Sequence, residues 1–315
     1  MPFSYRVTLF TPTYNRAYIL DRLYRSVQRQ SFRDFEWLII DDGSTDNTEE
    51  LVQGWIEESN DFPIRYYKVP NGGKCRAINK ALELARGELF FTMDSDDYLT
   101  DDALEKVDGW FSNLDPNGRV QGVVANRGYE PDRTENYMFE ESHIDTTLLS
   151  IYTCQREGRR VFDGERAFVF YTDFHRRYPY PEVEGENFMT EAVAWNRMAS
   201  DGYKVRFVND IIWVYEYLPD GLTKAGSSIF LKNPQGYGLW LREKAQFMGD
   251  PLIKKLKMWY SFYCDLTAAE PDHRLTLHQC AAYIGAPVLF MYLAASAHKL
   301  IRWMRLKREK MRKTR

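Results

Sequence analysis

The chain has 315 residues, 44% hydrophobic and 28% charged, which is typical of a soluble globular protein and long enough for one large α/β domain with an appendage or for two domains. Its four cysteines lie far apart without a C-x-x-C pair, which argues against a disulfide framework or a zinc site and favours a reducing compartment. The net charge of −3 is uneven, because residues 299–315 contain nine Lys or Arg and one acid. The first ten residues lack the pattern of a secretory signal, so we expect a cytoplasmic protein.

The first predicted strand is the apolar run Val7 to Phe10, and the turn-rich loop TPTYNR at 11–16 follows it. A helical stripe of apolar residues covers 19–30. A second strand is predicted over 35–40 and ends in the polar sequence DDGSTDNT at 41–48. Each strand is therefore followed directly by turn-forming residues.

The helix after the second strand is predicted to run to about Glu58, with Ser44 or Thr45 as its N-cap. A third strand is predicted over 64–69, and the loop NGGK at 71–74 follows it. The next helix is predicted over 77–85. Gly87 is expected to end it.

The fourth strand, Leu89 to Met93, has the length and side chains of a strand buried on both faces. Three carboxylates follow within four positions, at Asp94, Asp96 and Asp97. Two carboxylates at ~4 Å repel by about 1 kcal/mol in water and about 4 near a protein surface. A divalent cation between the carboxylates would replace this repulsion by attraction, and Asp-x-Asp offers the hard oxygens that Mg2+ or Mn2+ prefer. The alternative is a solvated loop in which Asp97 or Thr100 caps the next helix.

These elements alternate as β-α-β-α-β-α-β, which predicts a mostly parallel sheet flanked by helices. In such sheets ligands bind at the carboxyl ends of the strands. The polar loops all follow strands, so we expect them to meet at one edge. A further helix is predicted over 101–111 and a further strand over 120–125.

Four motifs in order resemble the family 2 glycosyltransferases, which have the GT-A fold. They are P-T-Y-N-R at 12–16, D-D-G-S-T-D at 41–46, G-G-K at 72–74 with Asn79 beyond, and D-S-D-D at 94–97. The resemblance covers about the first third of the chain. It implies an inverting transferase that uses a nucleotide-diphosphate sugar, with a UDP-sugar favoured, and a divalent metal, Mg2+ or Mn2+.

The resemblance also implies roles for single residues. The implied donor-binding residues are Pro12, Thr13, Tyr14, Asp42, Lys74, Asp94 and Ser95. Asp42 would accept a hydrogen bond from the base, Asp94 would contact the ribose or the metal, and Asp96 would hold the metal at the diphosphate. Lys74 would neutralise or position the nucleotide. The alternatives are a turn-forming role for Asp42 and an exposed surface lysine at Lys74, and Asn79 is expected to be structural.

Residues 127–180 are rich in Tyr, Phe, Arg and Glu without a clear period, a composition that suits acceptor specificity on a rigid scaffold. Two isolated histidines in this region, His143 and His175, are predicted to lie at the surface. Two closing strands are predicted at 205–208 and 211–215. The loop at 217–226 is a candidate lid over the donor.

A helix is predicted to begin at Thr190, and Glu191 then shares a face with Phe188, Trp195 and Met198. The family resemblance implies that a carboxylate near this position is the general base that deprotonates the acceptor hydroxyl. The family's usual motif is Glu-Asp, and Thr190-Glu191 departs from it. Rival candidates are Glu186 and, less favoured, Glu184, and the structural alternative is a helix N-terminal glutamate that supports the helix dipole.

Beyond about residue 228 the pattern is helical, and residues 275–298 contain no Asp, Glu, Lys or Arg. With Gly285 and Pro287 this stretch is only a marginal spanning segment. An interfacial helix followed by a polybasic tail suits the cytoplasmic face of a membrane. The alternative is a helix docked on the catalytic domain. Nucleic-acid binding is not expected, because the basic run has only one aromatic residue.

We therefore predict an α/β protein with a GT-A type, Rossmann-like sheet and a C-terminal helical appendage. The predicted domains are 1–226, with a nucleotide-sugar half at 1–125 and an acceptor half at 126–226, and a helical region with a basic tail at 227–315. The predicted function is sugar transfer to a glycan or lipid-linked acceptor in surface or capsular polysaccharide synthesis. The rival is a non-catalytic sugar-nucleotide-binding or glycan-assembly protein.

A dinucleotide oxidoreductase is disfavoured, because no G-x-G-x-x-G follows the first strand. A haloacid dehalogenase-type phosphohydrolase would have its Asp-x-Asp on the first strand.

Overall fold

The structure is a computed structural model. It describes residues 3–58, 60–162, 164–216, 226, 228–268 and 275–313, with side chains as far as residue 304. The chain divides into two compact units: residues 1–182 with 194–224, and residues 183–193 with 225–315.

The first unit begins with the predicted alternation of strands and helices. Its elements are β1 (Tyr5–Thr13), α1 (Leu20–Gln28), β2 (Phe35–Asp41), α2 (Thr48–Glu57), β3 (Ile64–Lys68), α3 (Lys74–Leu84), β4 (Gly87–Thr92), β5 (Tyr98–Leu99) and α4 (Ala103–Phe111). Strands β3, β2, β1 and β4 lie side by side in that order, and all three pairings are parallel. The alternation predicted the parallel pairing, because parallel neighbours need a crossover helix between them, but it did not predict the order of the strands.

The later part of the first unit contains the strands predicted near 120–125 and 205–215 and adds other strands that the sequence did not reveal. Its elements are β6 (Val120–Gly128), β7 (His143–Thr146), a 3-10 helix (Leu148–Tyr152), β8 (Gln155–Arg156), β9 (Arg159–Arg160), β10 (Arg166–Tyr171), α5 (Thr172–Arg176), α6 (Ala192–Ser200) and β11 (Lys204–Val214). Strand β10 lies between β4 and β6 and is antiparallel to both. Strand β11 is one continuous strand with register shifts, where two strands were predicted.

Gly87 does not end a helix as predicted. Helix α3 ends at Leu84 and Gly87 is the first residue of β4. A Cβ atom at Gly87 would lie 2.1 Å from the backbone nitrogen of Thr8. The glycine is therefore required by the close approach of two strands and not by a helix cap.

The predicted N-cap of α2 is also wrong. The residue at the N-cap position is Asn47, and Asp46 Oδ1 accepts a hydrogen bond from the backbone N–H of Thr48 at 3.1 Å. Ser44 and Thr45 bond instead to Asn15 of a neighbouring loop. Ser44 and Thr45 therefore have a long-range partner and do not cap the helix.

His175 was predicted at the surface and is buried, with 2% of its area exposed. Its ring packs against Phe90 and Phe170, and its Nε2 lies 3.2 Å from the Tyr180 hydroxyl. Burial lowers the pKa of His175 to about 3. His143 is exposed, as predicted.

The described part of the second unit is helical, as predicted. After the segment 183–193 its helices are Ser228–Lys232, Pro234–Phe247, Leu252–Ala268, Leu277–Ile284 and Val288–Lys313. They share an apolar core that includes Phe262, Leu266, Ile284 and Met291. Within the described ranges, no helix combines the length and the apolarity needed to cross a bilayer.

The segment 183–193 clusters with the C-terminal helices, whereas the sequence analysis placed it in the acceptor half of the first domain. The predicted boundary between residues 226 and 227 adjoins residues outside the described ranges and stays a prediction. Residues 217–225 of the predicted lid loop also lie outside them.

Candidate active site

The carboxyl ends of β1, β2 and β4 bring three of the polar loops together. Thr13 pairs in register with Asp41, so β1 includes Pro12 and Thr13, which were predicted to lie in a loop. Thr13 is 2% exposed, and its Oγ1 has no hydrogen-bond partner among the described residues. Tyr14 follows with 48% of its area exposed. At this edge Thr13 therefore offers a buried hydroxyl and Tyr14 an exposed aromatic ring.

Asn15 joins the first loop to the second. Its Oδ1 accepts the backbone N–H of Thr45 at 2.7 Å, and its own N–H donates to Ser44 Oγ at 2.8 Å. Its φ of 52° lies in the left-handed region, which asparagine tolerates better than most residues. The motifs at 12–16 and 41–46 thus form one hydrogen-bonded surface.

Asp42 joins the second loop to the third. One carboxylate oxygen accepts the backbone N–H of Gly72 and the other that of Gly73, both at 2.8 Å. Burial raises the pKa of Asp42, although these two N–H groups act in the opposite direction. The side chain predicted to meet a base is therefore also the anchor of the G-G-K loop.

Asp94 lies between two cations. Lys74 Nζ is 2.7 Å from Asp94 Oδ1, and Arg127 Nη2 is 3.2 Å from Asp94 Oδ2. Burial by itself would raise the pKa of Asp94, but the charges of Lys74 and Arg127 outweigh it and lower the pKa to about 2. Lys74 is partly buried and paired, which disfavours the exposed-lysine alternative.

Asp96 and Asp97 have less compensation. Burial, and after it the charge of Asp94, raises the pKa of Asp96, whose carboxylate lies 3.5 Å from Arg16. The same two causes raise the pKa of Asp97 to about 7. Asp97 is 5% exposed and accepts a hydrogen bond from Trp213 Nε1 at 2.7 Å. It therefore connects this loop to β11 and does not cap a helix. Ser95 between them is buried.

Arg127 is the main site residue that the sequence analysis missed. It lies on β6, and its guanidinium carbon is 3.4 Å from the centroid of the Trp213 ring. Its Nη1 also lies 3.9 Å from Asp97. The sequence signal that could have found it is its position just past the predicted strand 120–125, because the other polar site residues also follow predicted strands.

Asn79 is structural, as expected. Its side chain donates to the carbonyl oxygen of Tyr180 and accepts the N–H of the same residue, each at 2.9 Å. It therefore connects α3 to the chain after α5.

The acids at this edge suit a divalent ion only if a bound ligand supplies further coordinating oxygens. Among the described residues, no three His, Cys, Asp or Glu side chains form a metal-holding group. Asp94 is already balanced by two cations, whereas Asp96 keeps a raised pKa beside it. Mg2+ commonly binds through one or two carboxylates together with substrate phosphates. Asp96, with Asp94 beside it, suits that mode.

The candidate bases Glu186 and Glu191 belong to the second unit. Glu186 is 7% exposed, and its carboxylate accepts the backbone N–H groups of Gln235 at 2.7 Å and Gly236 at 2.9 Å. Burial raises the pKa of Glu186, and the two N–H groups lower it. Glu186 thus holds the first turn of helix Pro234–Phe247. Glu191 directly precedes α6 and is partly exposed, and Glu184 is exposed.

The sequence profile of glycosyl transferase family 2 matches residues 8–179. The chain is 39% identical over 99 residues to a chondroitin synthase of Pasteurella multocida, covering 31% of this chain and 10% of that protein. It is 30% identical over 143 residues to a GalNAc(5)-diNAcBac-PP-undecaprenol beta-1,3-glucosyltransferase of Campylobacter jejuni, covering 40% of this chain and 44% of that protein. The chain therefore spans less than half the length of these relatives.

Two solved structures share the fold. Staphylococcus aureus TarS 1-349 in complex with UDP-GlcNAc superposes with a TM-score of 0.57 at 16% identity, covering 94% of this chain and 92% of that one. The mannosyltransferase PcManGT of Pyrobaculum calidifontis, in complex with GDP-Man and Mn2+, superposes with a TM-score of 0.55 at 21% identity, covering 95% and 81%. The α/β fold with its mostly parallel sheet is the GT-A type.

Proposed function

The chain belongs to glycosyl transferase family 2, and on that premise we propose that it is an inverting glycosyltransferase which moves a sugar from a nucleotide-diphosphate donor to an acceptor hydroxyl. The observation that carries the proposal is the joining of four motif loops at one sheet edge. Asn15 bonds to Thr45, Asp42 bonds to Gly72 and Gly73, and Lys74 pairs with Asp94. We assign donor binding to this edge and favour a UDP-sugar.

A divalent metal, Mg2+ or Mn2+, is the proposed cofactor, held by Asp96 with Asp94 beside it. When bound, such an ion would neutralise the charge that develops on the departing diphosphate. The raised pKa of Asp96, caused by burial and by the neighbouring Asp94, supports the assignment, because a bound cation would favour the ionised carboxylate and offset its repulsion from Asp94. PcManGT, which shares the fold, was solved with GDP-Man and Mn2+.

Lys74 and Arg127 would act through Asp94, whose carboxylate they both contact. Their pairing keeps the Asp94 carboxylate ionised and fixes its orientation. The exposed ring of Tyr14 and the buried hydroxyl of Thr13 would line the nucleotide pocket with Pro12. These roles need charge and position but no proton transfer.

Glu191 is the proposed general base. The acceptor oxygen forms a bond to the anomeric carbon, the bond from that carbon to the diphosphate oxygen breaks, and the acceptor proton passes to Glu191. An inverting displacement needs one such base, unlike the paired acids of glycosidases. The bonds from Gln235 and Gly236 to both oxygens of Glu186 give that rival a structural role, which supports Glu191.

The proposed acceptor is a growing glycan or a lipid-linked glycan in surface or capsular polysaccharide synthesis. Relatives named as a chondroitin synthase, an undecaprenol-linked glucosyltransferase and a poly(ribitol-phosphate) transferase support this class. The cytoplasmic location expected from the sequence stays a prediction.

The test is a thermal-shift and hydrolysis screen of nucleotide sugars, with Mn2+ and with a chelator. We expect one donor to raise the unfolding temperature only when metal is present. Glu191→Gln should keep that shift and lose transfer, whereas Glu186→Gln should lower stability before it lowers the rate per folded molecule. If no nucleotide stabilises the protein in a metal-dependent way, the donor-site assignment fails. Retained transfer in Glu191→Gln would favour the rival base.

The rival function is a non-catalytic sugar-nucleotide-binding protein of the same fold. It predicts the same metal-dependent shift without hydrolysis or transfer for any donor. Glu191→Gln would then change nothing measurable, so the two hypotheses separate in one experiment.

A further inference from the structure

The last helix of the second unit, Val288–Lys313, has apolar side chains on two opposite faces. One face belongs to the core of that unit, where Met291 is 0% and Ala294 5% exposed. The other face is open to solvent, with Leu289 at 71%, Leu293 at 61% and Leu300 at 57% exposure. Soluble helices are normally polar on the face away from the core, so the second face needs a partner.

Most of the exposed apolar residues of this helix lie along one side of it, with Ser296 between Leu293 and Leu300. At 100° per residue they fall within about 120° of the helix circumference and extend over about 22 Å. We call the following residues the apolar stripe: Leu289, Tyr292, Leu293, Leu300 and Met304.

The basic residues at the end of this helix indicate the kind of partner that the stripe would meet. Lys299 and Arg302 lie on this helix and are exposed, and residues 299–315 contain nine Lys or Arg against one Glu. A second copy whose helix packed in parallel would bring these like charges together, and lysine is depleted from protein interfaces. An anionic bilayer surface attracts Lys and Arg, accepts apolar side chains below the headgroups and favours tyrosine and tryptophan at the boundary.

We propose that the apolar stripe lies in the headgroup region of an anionic membrane, with the helix parallel to the surface and its basic end held by lipid headgroups. The proposal does not depend on the transferase activity. It would keep the second unit at a membrane surface, where a lipid-linked acceptor would be found.

The test is sedimentation of the full chain with vesicles of phosphatidylcholine, and with vesicles of phosphatidylcholine mixed with phosphatidylglycerol. We expect binding to the mixed vesicles that weakens as salt is added, and little binding to phosphatidylcholine alone. The double variant Lys299→Gln/Arg302→Gln should weaken binding by about 30-fold. Leu293→Ser/Leu300→Ser should weaken it by at least about 10-fold without adding charge.

The matched control is Ile56→Ser on α2, which replaces an apolar residue 38% exposed in the first unit and should leave vesicle binding unchanged. Thermal unfolding of each variant shows that the fold is kept. Equal binding to both kinds of vesicle would overturn the proposal, as would mixed-vesicle binding that the leucine variant leaves intact. A wild-type dimer that the leucine variant dissociates, with no vesicle binding, would overturn it in favour of a second copy.

Discussion

At its N-terminal end strand β4 packs against bare backbone and aromatic rings, whereas at its carboxyl end it leads into charged groups held by other charges. Gly87 approaches the backbone of Thr8, and Phe90 contacts His175. Within a few residues, Asp94 bonds to Lys74 and Arg127. The first end gains free energy from close packing. The second brings buried or partly buried carboxylates together, and Asp94 raises the pKa of both Asp96 and Asp97.

The difference predicts that substitutions at the carboxyl end change activity and that those in the packed half change stability. Asp96→Asn should lower transfer by about 1000-fold, equivalent to about 4 kcal/mol, through loss of metal-dependent donor binding. Its unfolding temperature without ligand should stay level or rise, because a partly buried charge is removed. Kinetics and calorimetry measure the two effects, and Asp101→Asn, at an exposed acid paired with Arg29, is the control. Unchanged transfer by Asp96→Asn would break the comparison.

Gly87→Ala should show the opposite pattern. The added Cβ would meet the Thr8 nitrogen at 2.1 Å, so the strands must separate, and we expect a loss of about 3 kcal/mol in the free energy of unfolding. The control is Gly109→Ala within α4, where a Cβ meets nothing within 4 Å and should stabilise the helix by about 1 kcal/mol. Urea unfolding measures both. A Gly87→Ala protein as stable as wild type would contradict the packing argument.

Asn15 lies beside the carboxyl ends of the strands, yet its hydrogen bonds are structural. It therefore tests whether every residue at that end acts on activity alone. Asn15→Ala loses the side-chain bond to Thr45 and keeps a strained left-handed residue, for an expected cost of about 2 kcal/mol in stability. Asn15→Gly loses the bond without the strain and should cost about 1 kcal/mol less. Both should weaken donor binding, which calorimetric titration measures. Equal stability of the two variants would mean that strain is not important at this position.

The smallest effect concerns pH. The pKa of His175 is lowered to about 3 in the folded protein, whereas the unfolded chain binds that proton near pH 6.5. Between those values the unfolded state holds more protons, so stability is full above pH 6.5 and falls as pH falls towards 3. By pH 5.5 we expect His175 to account for about 1.4 kcal/mol of loss relative to pH 7.5. In His175→Gln this part of the loss should disappear, and an identical pH dependence in both proteins would show that other groups cause it.

The strand and helix alternation, the parallel pairing of the first four strands and the meeting of the motif loops could be predicted from the sequence. They depend on hydrophobic period and on turn-forming residues, which are local properties. The helical character of the C-terminal part followed from the same kind of evidence.

Other features depended on partners far away in the chain. Gly87 and Ser44 have residue types that suit helix ends, yet their roles are set by Thr8 and by Asn15. The sequence predicted His175 at the surface, but in the fold its ring packs against those of Phe90 and Phe170.

The sequence by itself determined which residue types follow each strand, because side-chain chemistry and local periodicity are written in the chain. Only the tertiary structure decided that Arg127 lies between Trp213 and Asp94, and that Glu186 bonds to a helix N-terminus. Those outcomes depend on pairings across 30 or more positions, for which a single sequence carries no local signal.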